Sequence, residues 1–267
     1  MKKSLILIGL LACISLAFVH KSAVVMDNYK VIKVTGNIIY KKNNKNVSQG
    51  DLFPENEQIV FKTPESKAAV ISTAKGRFIL APGSDKKADV KANLLPASSN
   101  VSSRSGAIIN VVDLQNMFTG NFVVLGKMKM HINKDNFPMS ESNFFYLRYK
   151  YKGEDINKKL AFEGEKLIFD KEQILLVDGK PVAGPDAPEY KLYYTDGKSS
   201  QLINSFNLVM PETEALKAET GILLTAIGDK NYTAKVDEFI AYLNDFYGKS
   251  NKTNVMDWLK SNFSLEP

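Results

Sequence analysis

Cysteine is almost missing from this chain: of 267 residues, only Cys13 carries a thiol. No disulfide can form within the chain, so its fold must be held by core packing. Histidine is nearly as scarce, with only His20 and His131. A Ser-His-acid site would have to use His131, which alternates with Lys129 in a strand-like run and so reads as an exposed side chain. A zinc site usually draws two or more ligands from His and Cys, and that supply is absent too. Arginine is limited to Arg77, Arg104 and Arg148. Nucleic-acid readers rely on arginine forks for base edges and phosphates, so no nucleic-acid partner is expected. Also missing are a glycine-rich phosphate loop, a paired-carboxylate site and a repeat of solenoid length. Glu163, Glu165 and Asp170 only flank strands and turns. Together these gaps argue against an enzyme, a bound cofactor and a metal centre.

One motif points the other way. Ser72-Thr73-Ala74-Lys75 has the Ser-x-x-Lys spacing of penicillin-interacting serine enzymes. That chemistry needs the serine at a helix N-terminus with the lysine one turn on. Here the four residues end a strand and enter a turn at Gly76, where positions three apart point to opposite faces. A serine enzyme at Ser72 is therefore the weakest of three readings carried forward.

Apolar runs of membrane-spanning length are lacking as well. The run from Leu5 to Val19 is 15 residues long, is interrupted by Ser15 and follows Lys2 and Lys3. A spanning helix usually needs about 17–25 apolar residues. A charged start followed by a short apolar stretch reads as an export signal over residues 1–27. Three outcomes compete. Ser15-Leu16-Ala17 supplies small residues for cleavage after Ala17; the run can stay as a short anchor with the lysines inside; or Cys13, in Leu10-Leu11-Ala12-Cys13, can carry lipid as in a bacterial lipobox. Each places the remainder in the periplasm or cell envelope, with membrane attachment through residues 5–19 in the last two.

What is present is ordinary globular composition, 44% apolar and 24% charged, with a net charge of +6 carried almost wholly by lysine. The lysines are scattered, which suits a solvated surface. Weak attraction to an anionic envelope surface is the functional alternative.

The pattern after residue 27 predicts a mainly β protein with a C-terminal α segment (α+β). Residues 28–82 read as a small antiparallel β unit: Ile32 and Val34 alternate with Lys33 and Thr35, Ile38 and Tyr40 follow Gly36, and Lys75-Gly76 makes a hairpin. This segment resembles a FecR-type envelope domain in Val34-Thr35-Gly36-Asn37-Ile38, in Val47 to Asp51 with its Gly50-Asp51 step, and in Ala69-Val70-Ile71 before the Lys75-Gly76 turn. The resemblance covers about a fifth of the chain and implies an exported β module, with no signalling role expected. Residues 83–107, small and polar around Pro96 to Ser103, read as a linker.

Residues 108–207 predict a β-sandwich-like domain. Met128, Met130 and Ile132 alternate with Lys127, Lys129 and His131. Phe145, Leu147, Tyr149 and Tyr151 share one strand face, and Phe144, Tyr146, Arg148 and Lys150 the other. Asp178-Gly179 and Asp196-Gly197 mark hairpins. Residues 208–267 predict two to three short helices. Pro211 and Glu212 open the first, Gly228 closes it, Thr233 caps the second, Gly248 ends it and Thr253 opens the third.

Two surfaces are candidates for function. Tyr146, Arg148, Tyr149 and Tyr151 form an aromatic-basic strand suited to a glycan or a partner strand. The helical stripe through Phe239, Leu243, Phe246 and Tyr247 must cover an open sheet edge of this chain or present a groove to another protein. The expectation is an exported, non-catalytic structural or interaction subunit of a cell-envelope assembly, with other envelope proteins as partners. The alternative is a module that binds a carbohydrate or surface polymer.

Overall fold

The computed structural model describes residues 27–83, 93–96 and 110–267. The export segment, with Cys13 and Ala17, lies outside these residues. The described chain is mainly β with a C-terminal helical segment, as the sequence pattern predicts.

The first unit contains β1 (Asn28–Thr35), β2 (Ile38–Tyr40), β3 (Leu52–Pro54), β4 (Ile59–Phe61), β5 (Lys67–Ser72), β6 (Gly76–Ala81) and β7 (Asn93–Pro96). Five of them form an antiparallel sheet in the order β3-β1-β5-β6-β7, and β2 pairs with β4 as a ribbon. β7 lies inside the stretch read as a linker and pairs with β6. Its sequence, Asn-Leu-Leu-Pro, is too short to show alternation among its small polar neighbours.

The sheet is buried on both faces, and the side-chain period of two sorts its residues. Ala68 and Val70 of β5 join Tyr29, Val31, Ile38, Phe53 and Ile59 in one core. Ala69 and Ile71 face the other way, into a second core built mostly from the C-terminal helices. A bulge between Val31 and Lys33 makes Ile32 an extra residue in β1. It lets both Ile32 and Lys33 reach the helix side. β5 therefore reads as a continuous apolar run, as a doubly covered strand should.

The second unit begins with a helix that sequence pattern did not show, α1 (Val111–Met117), capped by the Asn110 side chain. It continues through β8 (Asn121–Val123), β9 (Lys127–His131), β10 (Phe144–Tyr151), β11 (Glu154–Lys159), β12 (Ala161–Glu163), β13 (Lys166–Asp170), α2 (Lys171–Ile174), β14 (Leu176–Val177), β15 (Lys180–Pro181), β16 (Glu189–Thr195) and β17 (Ser200–Val209). The run from Ile174 to Val177 reads as one apolar stretch, but the chain splits it between the end of α2 and the start of β14. The Asp178-Gly179 hairpin joins β14 to β15, with φ of 49° and 73° as a type I′ turn requires.

A six-stranded sheet, β11-β10-β16-β17-β8 plus one late strand, and a three-stranded sheet, β12-β13-β9, share one apolar core. Met128, Met130, Leu167 and Phe169 from the small sheet meet Phe145, Leu147, Tyr190 and Leu192 from the large one. The architecture is sandwich-like.

The C-terminal segment holds α3 (Thr213–Ile227), α4 (Tyr232–Phe246), β18 (Lys249–Ser250) and α5 (Lys252–Phe263). Gly228 closes α3 at φ 65° as expected. The other caps differ. Asn231 caps α4 and Asn251 caps α5, each accepting from the backbone N–H three residues on. Thr233 and Thr253 lie inside the helices instead. β18 pairs in parallel with β8, so the C-terminal segment completes the large sheet. Gly248 permits this: a Cβ there would stand 2.3 Å from the Asn121 carbonyl oxygen.

The helices are the joint of the molecule. Leu216, Val236, Phe239, Tyr242, Leu243, Val255 and Leu259 pack together with Ile32, Ala69 and Ile71 of the first unit and with Val123 and Leu125 of the second. Asn254, 2% exposed, fastens α5 to the sandwich, giving and taking hydrogen bonds with the backbone of Leu125.

Candidate functional site

The two aromatic candidates occupy opposite environments. The helical stripe faces inward. Phe239 and Leu243 are fully buried, and Phe246 and Tyr247 are partly buried against the first sheet. Phe239 and Leu243 are therefore not an interaction surface; they form the joint, packed on the face of the first sheet rather than over an open edge.

That joint is also ionic, and the two signs come from different sides. Lys33, Lys67 and Arg77 project from the first sheet. Glu219, Glu238 and Asp245 project from α3 and α4. The Glu219 carboxylate, 5% exposed, accepts from Lys33 at 2.7 Å and from the Tyr242 and Tyr247 hydroxyls at 2.7 Å each. Arg77 reaches Glu238 at 2.7 Å and Asp245 at 2.5 Å, with its side chain 1% exposed. Burial, and next the charge and hydrogen bond of Glu219, hold the Tyr242 hydroxyl far above the ordinary phenol range. Burial and the same carboxylate push Tyr247 up as well. A buried carboxylate is tolerated here because each of its neighbours donates a proton or carries a positive charge.

The strand surface divides by residue parity. Tyr149 is 2% exposed, sits in the sandwich core and donates its hydroxyl to the Ile174 carbonyl. Burial raises its pKa. Tyr151 is half-buried and packs against the same core. Both are removed from the candidate surface for one reason: odd positions of β10 face inward.

The even positions share the other face, where Tyr146 is 9% exposed and Phe144 and Arg148 are half-buried, and they meet a partner that sequence reading missed. β10 and β16 pair with Tyr146 opposite Tyr193. The two rings stack at 5.0 Å with an interplanar angle of 6°. The Arg148 guanidinium lies over Tyr193 at 4.9 Å, and Phe144 flanks Tyr146 at 6.3 Å. Lys159 of β11 lies over Phe144 at 4.5 Å. The result is a strip with a cation at each end and three rings between, running across three strands. Arg148 is held by its bond to the Asn157 side-chain oxygen at 2.8 Å. Leu202 of β17, directly opposite Tyr193, is 45% exposed. Tyr193 lies on the opposite side of β16 from the buried Tyr190, Leu192 and Tyr194, and the register that sets it against Tyr146 was not legible in the sequence.

Ser72 ends β5 as expected. It is 2% exposed, its hydroxyl donates to the Asp27 carboxylate, and it accepts from the backbone N–H groups of Ala74 and Lys75. The Lys75 ammonium goes to Glu55 at 2.6 Å instead. The structure does not bring the Ser72 hydroxyl and the Lys75 ammonium together as a nucleophile and base. His131 sits 3.0 Å from Glu165 on an exposed face. Among the described residues no group of three or more His, Cys, Asp or Glu side chains is placed to hold a metal ion, and no helix is long and apolar enough to cross a membrane.

No family model matches the chain, and no curated protein is significantly similar to it.

Proposed function

We propose that this chain is an exported, non-catalytic cell-envelope protein that serves as an interaction subunit of an envelope assembly. It meets its partner through the outer face of the six-stranded sheet. Export rests on Lys2, Lys3 and the apolar run from Leu5 to Val19, and the resemblance of residues 28–82 to FecR-type envelope domains supports the same address. The observation that carries the interaction role is the Phe144-Tyr146-Tyr193 strip with exposed Leu202 beside it. Aromatic and arginine side chains at fixed positions are the usual anchors of protein interfaces. Their conformations are set in advance by stacking, which lowers the entropy lost on binding.

The same geometry weighs against the carbohydrate reading. Sugar rings dock on an open aromatic face. Here Tyr146 and Tyr193 face each other, and Arg148 covers Tyr193.

The test is affinity capture after cross-linking in intact cells, with the unaltered protein and with a Tyr146→Ala/Tyr193→Ala variant. The expected result is one or more envelope proteins recovered by the first and lost by the second, while thermal unfolding stays within a few degrees. Recovery of the same proteins by both, or of no envelope protein by either, would overturn the proposal. A hydrolytic activity abolished by Ser72→Ala would overturn its non-catalytic part. Intact mass of the purified protein distinguishes cleavage after Ala17, lipid on Cys13 and retention of the run.

A further inference from the structure

A second feature lies at the ionic joint. Of the three cations that the first sheet sends there, Lys33 and Arg77 have carboxylate partners. Lys67 has none within 4 Å among the described residues. Its ammonium donates to the Asp245 backbone carbonyl at 2.8 Å and lies 4.5 Å from the centre of the Phe246 ring. Burial pulls its pKa below the ordinary lysine value, against the opposing pull of the nearby Asp245 charge.

Lys67 opens onto a cleft of about 360 Å³ where all three parts of the molecule meet. The first sheet gives Lys67, the end of α4 gives Asn244, Asp245, Phe246 and Tyr247, and the sandwich gives Thr119, Gly120 and Asn121; the Asp245 carboxylate is engaged by Arg77 at 2.5 Å. Lys249 closes the far side. It too has no carboxylate partner among the described residues, and it donates to the Thr119 hydroxyl at 2.8 Å.

The polar wall is rich in unused donors. Each lysine has three N–H groups and uses one. Thr119 accepts from Lys249, which leaves its own proton to give. The Asn121 side-chain oxygen accepts from Asn207, which turns the asparagine's amide donors to other use. Such a wall selects an anion. Ammonium groups act as point charges, which suits a compact phosphate better than the bidentate geometry of a carboxylate. The volume falls at the lower end of the roughly 300–1,000 Å³ of small-molecule sites, larger than an ion alone requires.

We propose that the cleft between Lys67 and Lys249 binds a phosphate ester, a phosphate carried on a sugar or polyol. The site is independent of the strip on the outer sheet face, so loss of either leaves the other standing. Binding there would also bridge the first unit, α4 and the sandwich, and so stabilise their arrangement by mass action.

The experiment is titration calorimetry of the full chain with glucose 6-phosphate, glycerol 1-phosphate, inorganic phosphate and glucose. The expected result is saturable binding of the two esters, at least tenfold weaker binding of inorganic phosphate and no binding of glucose. Lys249→Gln, at an exposed position, should weaken the esters at least fivefold, and Lys67→Met at least tenfold. Lys191→Gln, on the distant sheet face, should change nothing. Because Lys67→Met alters the joint, Lys249→Gln carries the decision if the former fails to fold. No ester binding, equal binding of glucose, equal binding of inorganic phosphate, or ester binding indifferent to Lys249→Gln would each overturn the proposal.

Discussion

The inner joint and the outer strip use the same chemistry to opposite ends. Both combine stacked aromatic rings with cations lying over them. At the joint, Lys33, Lys67 and Arg77 lie over Tyr247, Phe246 and Tyr242, and the rings are buried between sheet and helices. On the strip, Arg148 and Lys159 lie over Tyr193 and Phe144 on the outer face of the large sheet, where those two rings are half-buried. What separates them is the third ingredient. The joint carries carboxylates, Glu219, Glu238 and Asp245, that pair with Lys33 and Arg77 from the opposite element. On the strip Lys159 pairs with Glu141 at 2.8 Å, while Arg148 has only the Asn157 side chain. A surface that supplies its own counter-charges is closed upon itself. One that leaves a cation such as Arg148 without a carboxylate among the described residues has attraction left for something else.

This contrast predicts an ordering of effects. The largest belong to the joint. Phe239→Ala should destabilise the chain by about 3–5 kcal/mol, since a fully buried aromatic leaves a cavity among elements from all three parts. Urea unfolding measures it, and a loss below about 1 kcal/mol would mean that the helices do not hold the units together. Arg77→Met should cost about 3 kcal/mol, because it removes the counter-charge from two carboxylates, one of them 6% exposed.

A smaller effect is pH-dependent. The folded pKa values of Tyr242 and Tyr247 lie above the ordinary phenol value of 10, so both stay protonated in the folded chain while the unfolded chain ionises. Their contribution is whole below pH 10 and falls as pH rises above it. Each adds about 1.4 kcal/mol of loss per pH unit. Tyr247→Phe should flatten the stability profile between pH 10 and 11, and an unchanged slope would count against the buried network.

The smallest effect on stability belongs to the strip. Tyr193→Ala should cost no more than about 1 kcal/mol, the value of a cross-strand aromatic pair on a wet face. Its effect on partner recovery should be large by comparison.

The contrast also explains what the sequence could and could not convey. Fold class, the hairpin at Asp178-Gly179, the core face of β9 and the closing role of Gly228 are all local signals, set by a period of two or by turn chemistry, and they were legible. The sorting of aromatic residues into joint and strip was not. Phe239 and Leu243 have the spacing of a stripe that must dock, but only the tertiary arrangement shows that Ile32, Ala69 and Ile71 receive it. Tyr149 and Tyr146 are three residues apart in a run where nearly every residue is aromatic or apolar, so alternation alone does not tell which face is wet. Tyr193 became part of the strip through register with β10, which is a property of two strands and not of either sequence. β7 and β18 were missed because strands of four and two residues carry no periodicity.

The most direct test places a photo-activatable cross-linking residue at Leu202, beside the strip, and in a second variant at Phe246, in the joint, and irradiates intact cells. The account predicts intermolecular adducts with an envelope protein from position 202, and from position 246 only intramolecular links, for instance to Lys67. Intermolecular adducts from 246 with none from 202 would contradict it, making the helices the partner surface and the strip mere decoration of a sheet.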